Sequence, residues 1–499
     1  MNMKMVYDLF EAFTYWMWGP PLLTLILVTG VWITLRTRFF QLTHLGRILK
    51  DPFRKMCRET AEFGKGGISS FQAVCTAIGA SVGVSNISGV GTAIATGGPG
   101  ALFWLWVAGL LAMMVKFAEV SLACYYRKTM PDGSHRGGPT YYMQYGLGEE
   151  RGWHKILWKG LSLVFGCGIF CTFFITLTNY TVAEAIGSTF RISYLIPGII
   201  LMIATWIITF GGLKKTAAFA SCIVPFMCAF YVVAVLIVLV MNAERILPSI
   251  RMILQGAFTS QAAAGGFLGA SVKTAMSTGF ARSVYSNEAG WGTSAMVHAT
   301  AECEHPCRQG MMGAFEVFVD TMVVCTATGL AVIVTGFWNS GLTGAELTLC
   351  CLEANLGVVA RVILAIAIFL FGLTTATGWY SYYLCLLQHL CNGRLSKKAE
   401  RVIFLIYKLT MPIFPFLLTV ITVFTGGTPA GLWVLADFSS VVPTFTNVFA
   451  LLCLSGTFFS LFRDYQARYF GKGAVDPSFA VFYEDQCKTN AKGNESCGI

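Results

Sequence analysis

A run of small and polar residues interrupts the long apolar stretch between Phe71 and Glu119. It reads Gly-Ala-Ser-Val-Gly-Val-Ser-Asn at residues 79–86, where a spanning helix would be at bilayer depth. Irregular backbone at that depth must line a cavity or pack inside protein, because lipid satisfies no hydrogen bonds. The two half-helices would present bare C=O and N–H groups, which attract cations and anionic groups respectively. The run therefore predicts a binding site typical of secondary transporters, with close helix packing through small residues as the alternative.

A second run of similar composition lies at residues 265–290. It offers two places for a helix to break, at 277–281 and at 286–290. Half of the hydrocarbon core is about 15 Å thick, which corresponds to about ten residues of helix. Counted from the outer end of this run, the midplane of the membrane falls in the first of these two places. We therefore predict the break at 277–281. Asn287 and Glu288 would then lie near the inner end of the helix, where a charge costs less.

Two adjacent threonines, Thr374 and Thr375, lie within an apolar run at 358–390. Threonine hydroxyls in a helix can bond the carbonyls of their own helix, which is one interpretation. The other is that both hydroxyls face the first polar run and complete a cation site made of oxygen ligands. The sequence leaves both interpretations open.

Several ionisable side chains lie within or at the edges of apolar runs: Lys116, Glu119, Lys273, Arg282, Glu316 and Asp320. Carboxylates inside a membrane are usually functional or paired. We expect Glu316 and Asp320 to pair with Arg282 or Lys273, and a proton or cation site is the alternative. Lys116 and Glu119 are three residues apart, which suits either a structural ion pair or part of a gate.

These residues belong to a chain of 499 residues that is 55% hydrophobic and only 12% charged. Such a composition indicates an integral membrane protein and excludes a soluble enzyme. Eleven apolar runs reach the length of about 20 residues that a spanning helix needs. They lie at 15–35, 67–96, 100–125, 160–187, 193–211, 216–242, 262–289, 310–337, 359–389, 402–424 and 430–461.

The net charge of +10 is distributed in a way that orients the chain in a membrane rather than indicating nucleic-acid binding. With the loop at 36–66 placed in the cytoplasm, inner segments hold 26 Lys and Arg residues. Outer segments hold only Lys4, Arg191, Arg245 and Arg251. Because cytoplasmic loops carry an excess of basic residues, we expect the N-terminus outside and the C-terminus inside. The expected location is the plasma (inner) membrane, with multiple passes.

The two polar runs open two groups of five spans that would cross the membrane in opposite senses, which is the signature of an inverted repeat. We predict an all-α polytopic membrane protein of about 11 transmembrane helices. Its core would be a five-plus-five inverted repeat with two broken helices, preceded by one extra N-terminal helix. The predicted parts are an N-terminal helix with a basic loop (1–66), the first repeat (67–242), the second repeat (260–461) and a cytoplasmic tail (462–499).

Six short motifs are spread over the chain: SNISGV at 85–90, GGPGA at 97–101, KFAE at 116–119, SNEAG at 286–290, HPCRQG at 305–310 and FVDT at 318–321. Together they resemble the alanine or glycine:cation symporter family, also called sodium:alanine symporters. The likeness covers nearly the whole chain. It implies a sodium-coupled amino-acid symporter with the inverted-repeat fold of the bacterial leucine transporter. It also implies Na⁺ as the co-transported ion, without an organic cofactor.

The resemblance further implies roles for individual residues. Those expected to bind the substrate are Gly83, Val84, Ser85, Asn86, Ser277, Thr278, Gly279 and Phe280. In this scheme amides near Gly83 take the carboxylate, carbonyls at 277–281 take the ammonium, and the Phe280 ring covers the side chain. Those expected to hold Na⁺ are Gly79, Val82, Phe371, Thr374 and Thr375. A gate or charge network would comprise Lys116, Glu119, Arg282, Asn287, Glu288 and Asp320.

The chain departs from the family pattern at three places. It has Gly-Val-Ser-Asn at 83–86 where the family has Gly-Thr-Gly-Asn, Ser283 where the family has a glycine, and Leu177 where the family has a glutamine. Such changes bear on the choice of substrate more than on the mechanism, because a site that loses a donor no longer favours a substrate by pairing with it.

We therefore expect import of a small neutral amino acid, alanine or glycine first, coupled to Na⁺ by alternating access. The alternatives are serine or glutamine as the substrate, coupling to H⁺ through Glu288 or Asp320, and a non-transporting sensor. An intramembrane hydrolase is disfavoured because the six histidines map to loops or inner ends of spans, far from Ser81 or Ser85. The expected partners are the amino acid, the sodium ion and the lipid bilayer, with no nucleic acid.

Overall fold

The computed structural model describes residues 3–58, 67–130, 133–259, 272–391, 394–426 and 430–475. The chain opens with two helices in close succession, α1 (Met3–Trp18) and α2 (Pro20–Arg36). Proline is tolerated at the start of α2 because the N–H of a first-turn residue has no intrahelical partner. Together the two helices provide the predicted extra N-terminal span. Two short helices follow, α3 (Phe40–Thr43) and α4 (Leu45–Arg58).

Between residues 67 and 259, the described part of the chain holds nine helices, two π-helical segments and a short antiparallel hairpin. The helices are α5 (Ser70–Ser81), α6 (Val90–Gly97), α7 (Gly100–Tyr125), α8 (Pro139–Tyr141), α9 (Lys155–Ile175), α10 (Thr178–Phe190), α11 (Leu195–Thr209), α12 (Gly212–Met241) and α13 (Ala243–Phe258). The π-helical segments are Ser85–Gly89 and Tyr142–Glu150, and the strands are β1 (Lys128–Thr129) and β2 (His135–Arg136).

The residues described from 272 onward form nine more helices, one further π-helical segment, Phe318–Cys325, and a 3₁₀ turn, Phe337–Asn339. The helices are α14 (Val272–Asn287), α15 (Thr293–His298), α16 (Pro306–Val317), α17 (Thr326–Val334), α18 (Gly344–Leu356), α19 (Val358–Cys391), α20 (Lys397–Thr410), α21 (Ile413–Thr425) and α22 (Ala430–Phe470).

The all-α polytopic architecture is confirmed. In the described ranges eight helices are long and apolar enough to cross a membrane, or nine if the bent pair Ser70–Ser81 and Ser85–Gly97 counts as one span. Two of the eleven predicted spans fall outside this count. The span predicted at 193–211 is the 15-residue α11. The span predicted at 262–289 begins in residues outside the described ranges, and its described part, α14, carries both Lys273 and Arg282.

Helix α7 organises the region around the polar runs, since it packs against α2, α14 and α16. It starts within the GGPGA motif at 97–101, where Gly98 has a φ of 73° that favours glycine. Its backbone approaches α14 closely, because a Cβ placed on Gly279 would lie 2.3 Å from the carbonyl oxygen of Ala101. Small residues in α14 therefore serve close helix packing at this contact.

The last helix is longer than the sequence predicted. The final apolar run ends at residue 461, yet α22 continues to Phe470. Asp464 explains the extension, because its Oδ2 accepts a hydrogen bond from Arg468 Nε at 2.8 Å, one turn further on. The same carboxylate oxygen lies 3.1 Å from the Nε2 atom of buried His305. The tail predicted from 462 thus begins within this helix, its cytoplasmic location stays a prediction, and residues 476–499 lie outside the described residues.

Candidate functional site

Three interruptions of helices meet around one cavity of about 160 Å³, which we call the central cavity. They lie between α5 and α6, between α9 and α10, and between α14 and α15. The sequence predicted the first of these breaks, between α5 and α6, and did not predict the one between α9 and α10, which lies at residues 176–177. We call the interruption between α14 and α15 the second break. The side chains and backbone that matter most for its chemistry are Gly83, Val84, Ser85, Arg282, Tyr285, Glu288, Trp291 and Thr375.

The first break lies where the sequence predicted it. Helix α5 ends at Ser81, and Val82 takes an extended conformation with φ −71° and ψ 96°. The chain resumes as the π-helical segment Ser85–Gly89, and the two halves of the span are bent by 50°. The last carbonyls of α5 have no partner within the helix, so they carry the negative end of its dipole.

Asn86 holds this break together from within. Its Oδ1 accepts the backbone N–H of Gly83 at 2.9 Å, and its Nδ2 donates to Asp320 Oδ1 at 2.6 Å. The second carboxylate oxygen of Asp320 accepts from Ser286 Oγ at 2.7 Å and from Thr321 Oγ1 at 2.9 Å. Asn86 and Asp320 are both fully buried. The pair therefore connects the first break to α14 and to the segment Phe318–Cys325.

The predicted cation ligands are partly brought together. Thr375 Oγ1 donates to the Gly79 carbonyl at 3.3 Å, and Thr374 Oγ1 donates to the Phe371 carbonyl at 3.0 Å. Thr375 thus faces the first break, as one interpretation required, whereas Thr374 bonds its own helix. The approach depends on a glycine, since a Cβ on Gly83 would lie 2.5 Å from Thr375 Oγ1.

The second break is not where the sequence predicted it. Residues 277–281 are helical, because α14 runs without interruption from Val272 to Asn287. Ser277 Oγ and Thr278 Oγ1 both donate to the Thr274 carbonyl of the same helix, at 3.1 and 2.8 Å. The break instead lies at residues 288–292, where Glu288, Gly290 and Gly292 all have a positive φ.

Phe280 is consequently not placed over the central cavity. Its ring packs against Trp104 of α7, with 5.8 Å between the ring centroids, on the far side of α14 from the cavity lining. Gly279, also predicted to bind substrate, is used in the contact between α14 and α7. The depth argument failed because small residues in this helix serve packing, and because Glu288 is buried among compensating groups.

The groups near Glu288 form a buried charge cluster around Lys116. Its Nζ lies 3.7 Å from Glu119 Oε2 and 3.6 Å from Glu316 Oε1, and all three side chains are fully buried. The same Nζ donates to the Glu288 carbonyl at 3.0 Å and to Ser294 Oγ at 2.8 Å. One ammonium group thus joins two carboxylates to the second break.

The side-chain amide of Asn447 also links this charge cluster to the second break. Asn447 Nδ2 donates to Glu119 Oε1 at 2.5 Å and to the Gly290 carbonyl at 2.7 Å. Asn287 caps the turn locally, since its Oδ1 accepts the backbone N–H of Ala289 at 2.9 Å. Lys116 and Glu119 therefore form more than a local pair, because Lys116 donates to the Glu288 carbonyl and Glu119 accepts from Asn447, which itself donates to the Gly290 carbonyl.

The predicted partners of the intramembrane carboxylates were wrong. Glu316 contacts Lys116 and also lies 3.1 Å from His298 Nε2, while Asp320 is bound by neutral donors. Lys273 is exposed on the first turn of α14, and the Arg282 guanidinium lies 5.8 Å from the ring centroid of Tyr285. Sequence spacing did not reveal these pairs, because their members are far apart along the chain.

An aromatic wall of the cavity was also missed. Trp291 lies 5.4 Å from Tyr285 and 6.3 Å from Trp379, measured between ring centroids. Trp379 in turn lies 5.6 Å from Tyr383. A signal for part of this wall was present, because Trp379 and Tyr383 follow Thr375 at intervals of four and therefore share its face of α19.

Comparison with known proteins gives a consistent result. The sequence model of the sodium:alanine symporter family matches residues 3–480. The sodium/alanine symporter AgcS of Methanococcus maripaludis is 37% identical, over 88% of this chain and 92% of that protein. A protein of Bacillus subtilis named as a probable sodium/glutamine symporter, GlnT, is 34% identical over 95% of this chain and 92% of its own length.

Among solved structures, that of MhsT in complex with L-phenylalanine is similar, with a TM-score of 0.53 and 14% identity. The match covers 81% of this chain and 90% of that one. At this identity the likeness concerns the fold alone.

Proposed function

Because the chain belongs to the sodium:alanine symporter family, an integral-membrane family of amino-acid:cation symporters, we propose that it imports alanine or glycine together with Na⁺ by alternating access. The observation that carries the proposal is the central cavity, which is small and is lined by one cationic and one anionic side chain, Arg282 and Glu288. Its volume of about 160 Å³ is below the roughly 300–1,000 Å³ of pockets for drug-sized ligands. A compact zwitterion suits such a cavity.

The substrate carboxylate would face the first break. The amide of Gly83 already donates to Asn86, which leaves the amides of Val84 and Ser85 at the start of the resumed helix. Arg282 supplies positive charge on the other wall of the same cavity. The substrate ammonium would face Glu288 and the C-terminal end of α14, where the helix dipole is negative.

Sodium would bind beside the substrate, at the C-terminal end of α5. The proposed ligands are the Gly79 and Val82 carbonyls and the Thr375 hydroxyl, all oxygen atoms of the kind that hard cations prefer. The Thr374 hydroxyl, which donates to the Phe371 carbonyl at 3.0 Å, would complete the set together with that carbonyl. Na⁺ at this position orders the same backbone that the substrate needs, so each ligand increases the affinity for the other.

The membrane potential supplies the driving force in this proposal. Each Na⁺ that enters down 100 mV releases about 2.3 kcal/mol, before any contribution from its concentration gradient. This amount supports accumulation of the amino acid by roughly 50-fold per ion.

Uptake into proteoliposomes tests the proposal. Labelled alanine, glycine, serine and glutamine would be compared with an inward Na⁺ gradient and with K⁺ alone. We expect Na⁺-dependent accumulation of alanine or glycine. Accumulation of glutamine alone would indicate the substrate that is named for GlnT instead of alanine or glycine. Uptake that depends on pH but not on Na⁺ would indicate that the coupling ion is H⁺.

Replacing Thr375 by alanine is expected to raise the Na⁺ concentration for half-maximal uptake at least about ten-fold. The hydroxyl is a proposed ligand, and a hydrogen bond or contact to a charged group contributes about 1.5–3 kcal/mol. The measurement is uptake as a function of Na⁺ concentration at fixed substrate.

The matched control is Thr377→Ala on the same helix, whose hydroxyl bonds the Leu373 carbonyl at 2.9 Å and does not line the cavity. An unchanged half-saturation for Na⁺ in the Thr375 variant would remove this residue from the cation site.

We further propose that the N-terminus lies outside and the C-terminus in the cytoplasm. The proposal rests on the distribution of Lys and Arg along the sequence. A tag fused to the C-terminus should be cut by added protease in inside-out vesicles and protected in right-side-out vesicles. Cleavage only in right-side-out vesicles would reverse the orientation.

A further inference from the structure

A large basic pocket lies away from the central cavity, between the C-terminal ends of α2 and α22. Its volume is about 910 Å³. The basic side chains that line it, which define what we call the basic pocket, are Arg36, Arg38, His44, Arg463 and Lys472. None of the described residues that line it is an aspartate or a glutamate.

The positive charge of this pocket is not neutralised by the described part of the chain. Arg36, Arg38, Arg463 and Lys472 form no ion pair there, whereas nearby Arg468 pairs with Asp464 at 2.8 Å. Partial burial, together with the charges of Lys472 and Arg47, lowers the pKa of His44. The pocket is therefore suited to an anionic ligand.

One side of the basic pocket continues into an apolar surface. The Arg36 guanidinium lies over the rings of Trp32 and Phe459, at 5.3 and 5.2 Å from their centroids. On the same helix Val28 and Leu35 are each 56% exposed, as expected of a surface that faces lipid chains. A soluble anion has no apolar part that would contact this surface, whereas the acyl chains of a phospholipid would cover it.

The backbone at Arg38, which lines the pocket, is strained. Arg38 and Phe39 both have a positive φ, 54° and 55°, a conformation that non-glycine residues rarely adopt. Strained backbone of this kind is retained mostly where its side chains have a function. Phe39, the next residue along the chain, is 47% exposed.

We propose that the basic pocket binds the phosphate of an anionic phospholipid, whose acyl chains lie on the exposed apolar face of α2. Basic pockets at the cytoplasmic ends of membrane helices bind such headgroups. The site is independent of the substrate cavity, so the proposal stands whichever amino acid is transported.

The test is a titration of the purified full chain in detergent with dioctanoyl phosphatidylglycerol, followed by native mass spectrometry. Dioctanoyl phosphatidylcholine tests the need for net negative charge, and glycerol 3-phosphate tests the need for acyl chains. The variant is Arg38→Gln with Lys472→Gln. Its matched control is Lys397→Gln with Arg401→Gln, which removes two exposed charges from the start of α20.

We expect the Arg38/Lys472 variant to bind phosphatidylglycerol about thirty-fold more weakly, while the control is unchanged. Phosphatidylcholine and glycerol 3-phosphate should bind more weakly than phosphatidylglycerol to the natural chain. Equal affinity of both double variants for phosphatidylglycerol would overturn the proposal. Binding of glycerol 3-phosphate as tight as that of the lipid would replace it by a site for soluble phosphate esters. An unchanged unfolding temperature without lipid shows that the variant is folded.

Discussion

Replacing Lys116 by methionine is expected to destabilise the folded protein by about 3–5 kcal/mol and to abolish uptake. Lys116 is the ammonium group between Glu119 and Glu316, and its removal leaves two buried carboxylates without their cation. It also removes the donor to the Glu288 carbonyl at the second break. The measurements are the thermal unfolding temperature in detergent and substrate uptake in proteoliposomes.

The matched control is Lys273→Met, which removes an exposed lysine from the first turn of α14. Adding Glu119→Gln and Glu316→Gln to the Lys116 variant should restore part of the lost stability, because no uncompensated charge is then buried. It should not restore uptake, since the Glu288 carbonyl still lacks its donor. An unfolding temperature equal to that of the natural chain in Lys116→Met would show that the cluster is not maintained as an ion-pair network.

The second large effect is expected for Asn86→Ala, which should reduce uptake at low substrate concentration on the order of 100-fold. The change leaves the Gly83 amide and an oxygen of Asp320 without their partners. Two unsatisfied buried groups, one of them charged, cost about 3 kcal/mol together, which corresponds to this factor. The measurement is initial uptake as a function of substrate and Na⁺ concentration.

A matched control is Asn355→Ala in α18. Its side chain accepts from Asn242 Nδ2 at 2.8 Å, so it also loses an amide–amide hydrogen bond, but it does not line the cavity. We expect uptake within about two-fold of the natural chain for this control. If Asn86→Ala behaves like the control, the break does not depend on the asparagine for its geometry.

The first break was predictable because its cause is local. Glycine, serine and asparagine within an apolar run disfavour a lipid-facing helix, whatever the rest of the chain does. The nearness of Thr375 to Gly79 was only one of two interpretations, because a threonine hydroxyl inside a membrane can also bond a carbonyl of its own helix, as Thr374 does. The break itself follows from residue types at known depth.

The second break was not predictable by the same argument, because its causes are distant in sequence. Glu288 is only 4% exposed, in a position that the depth argument treated as too costly for a charge. Its burial is compensated by Thr293, whose hydroxyl donates to Glu288 Oε2 at 2.5 Å, and by the Lys116 cluster. Within 277–281, Gly279 instead allows α14 to pack closely on α7, a role that composition alone does not distinguish from unwinding.

The positive φ of Glu288 has a thermodynamic consequence. At φ 52° the residue is outside the helix, and its carbonyl accepts from Lys116, while the Gly290 carbonyl accepts from Asn447. The backbone conformation at the central cavity and the energy of the buried ion pairs are therefore thermodynamically linked. A ligand that stabilises this conformation by a given factor strengthens the ion pairs by the same factor, and loss of the pairs weakens the ligand reciprocally. Heat resistance and substrate affinity should therefore fall together when a single change in the cluster breaks its ion pairs.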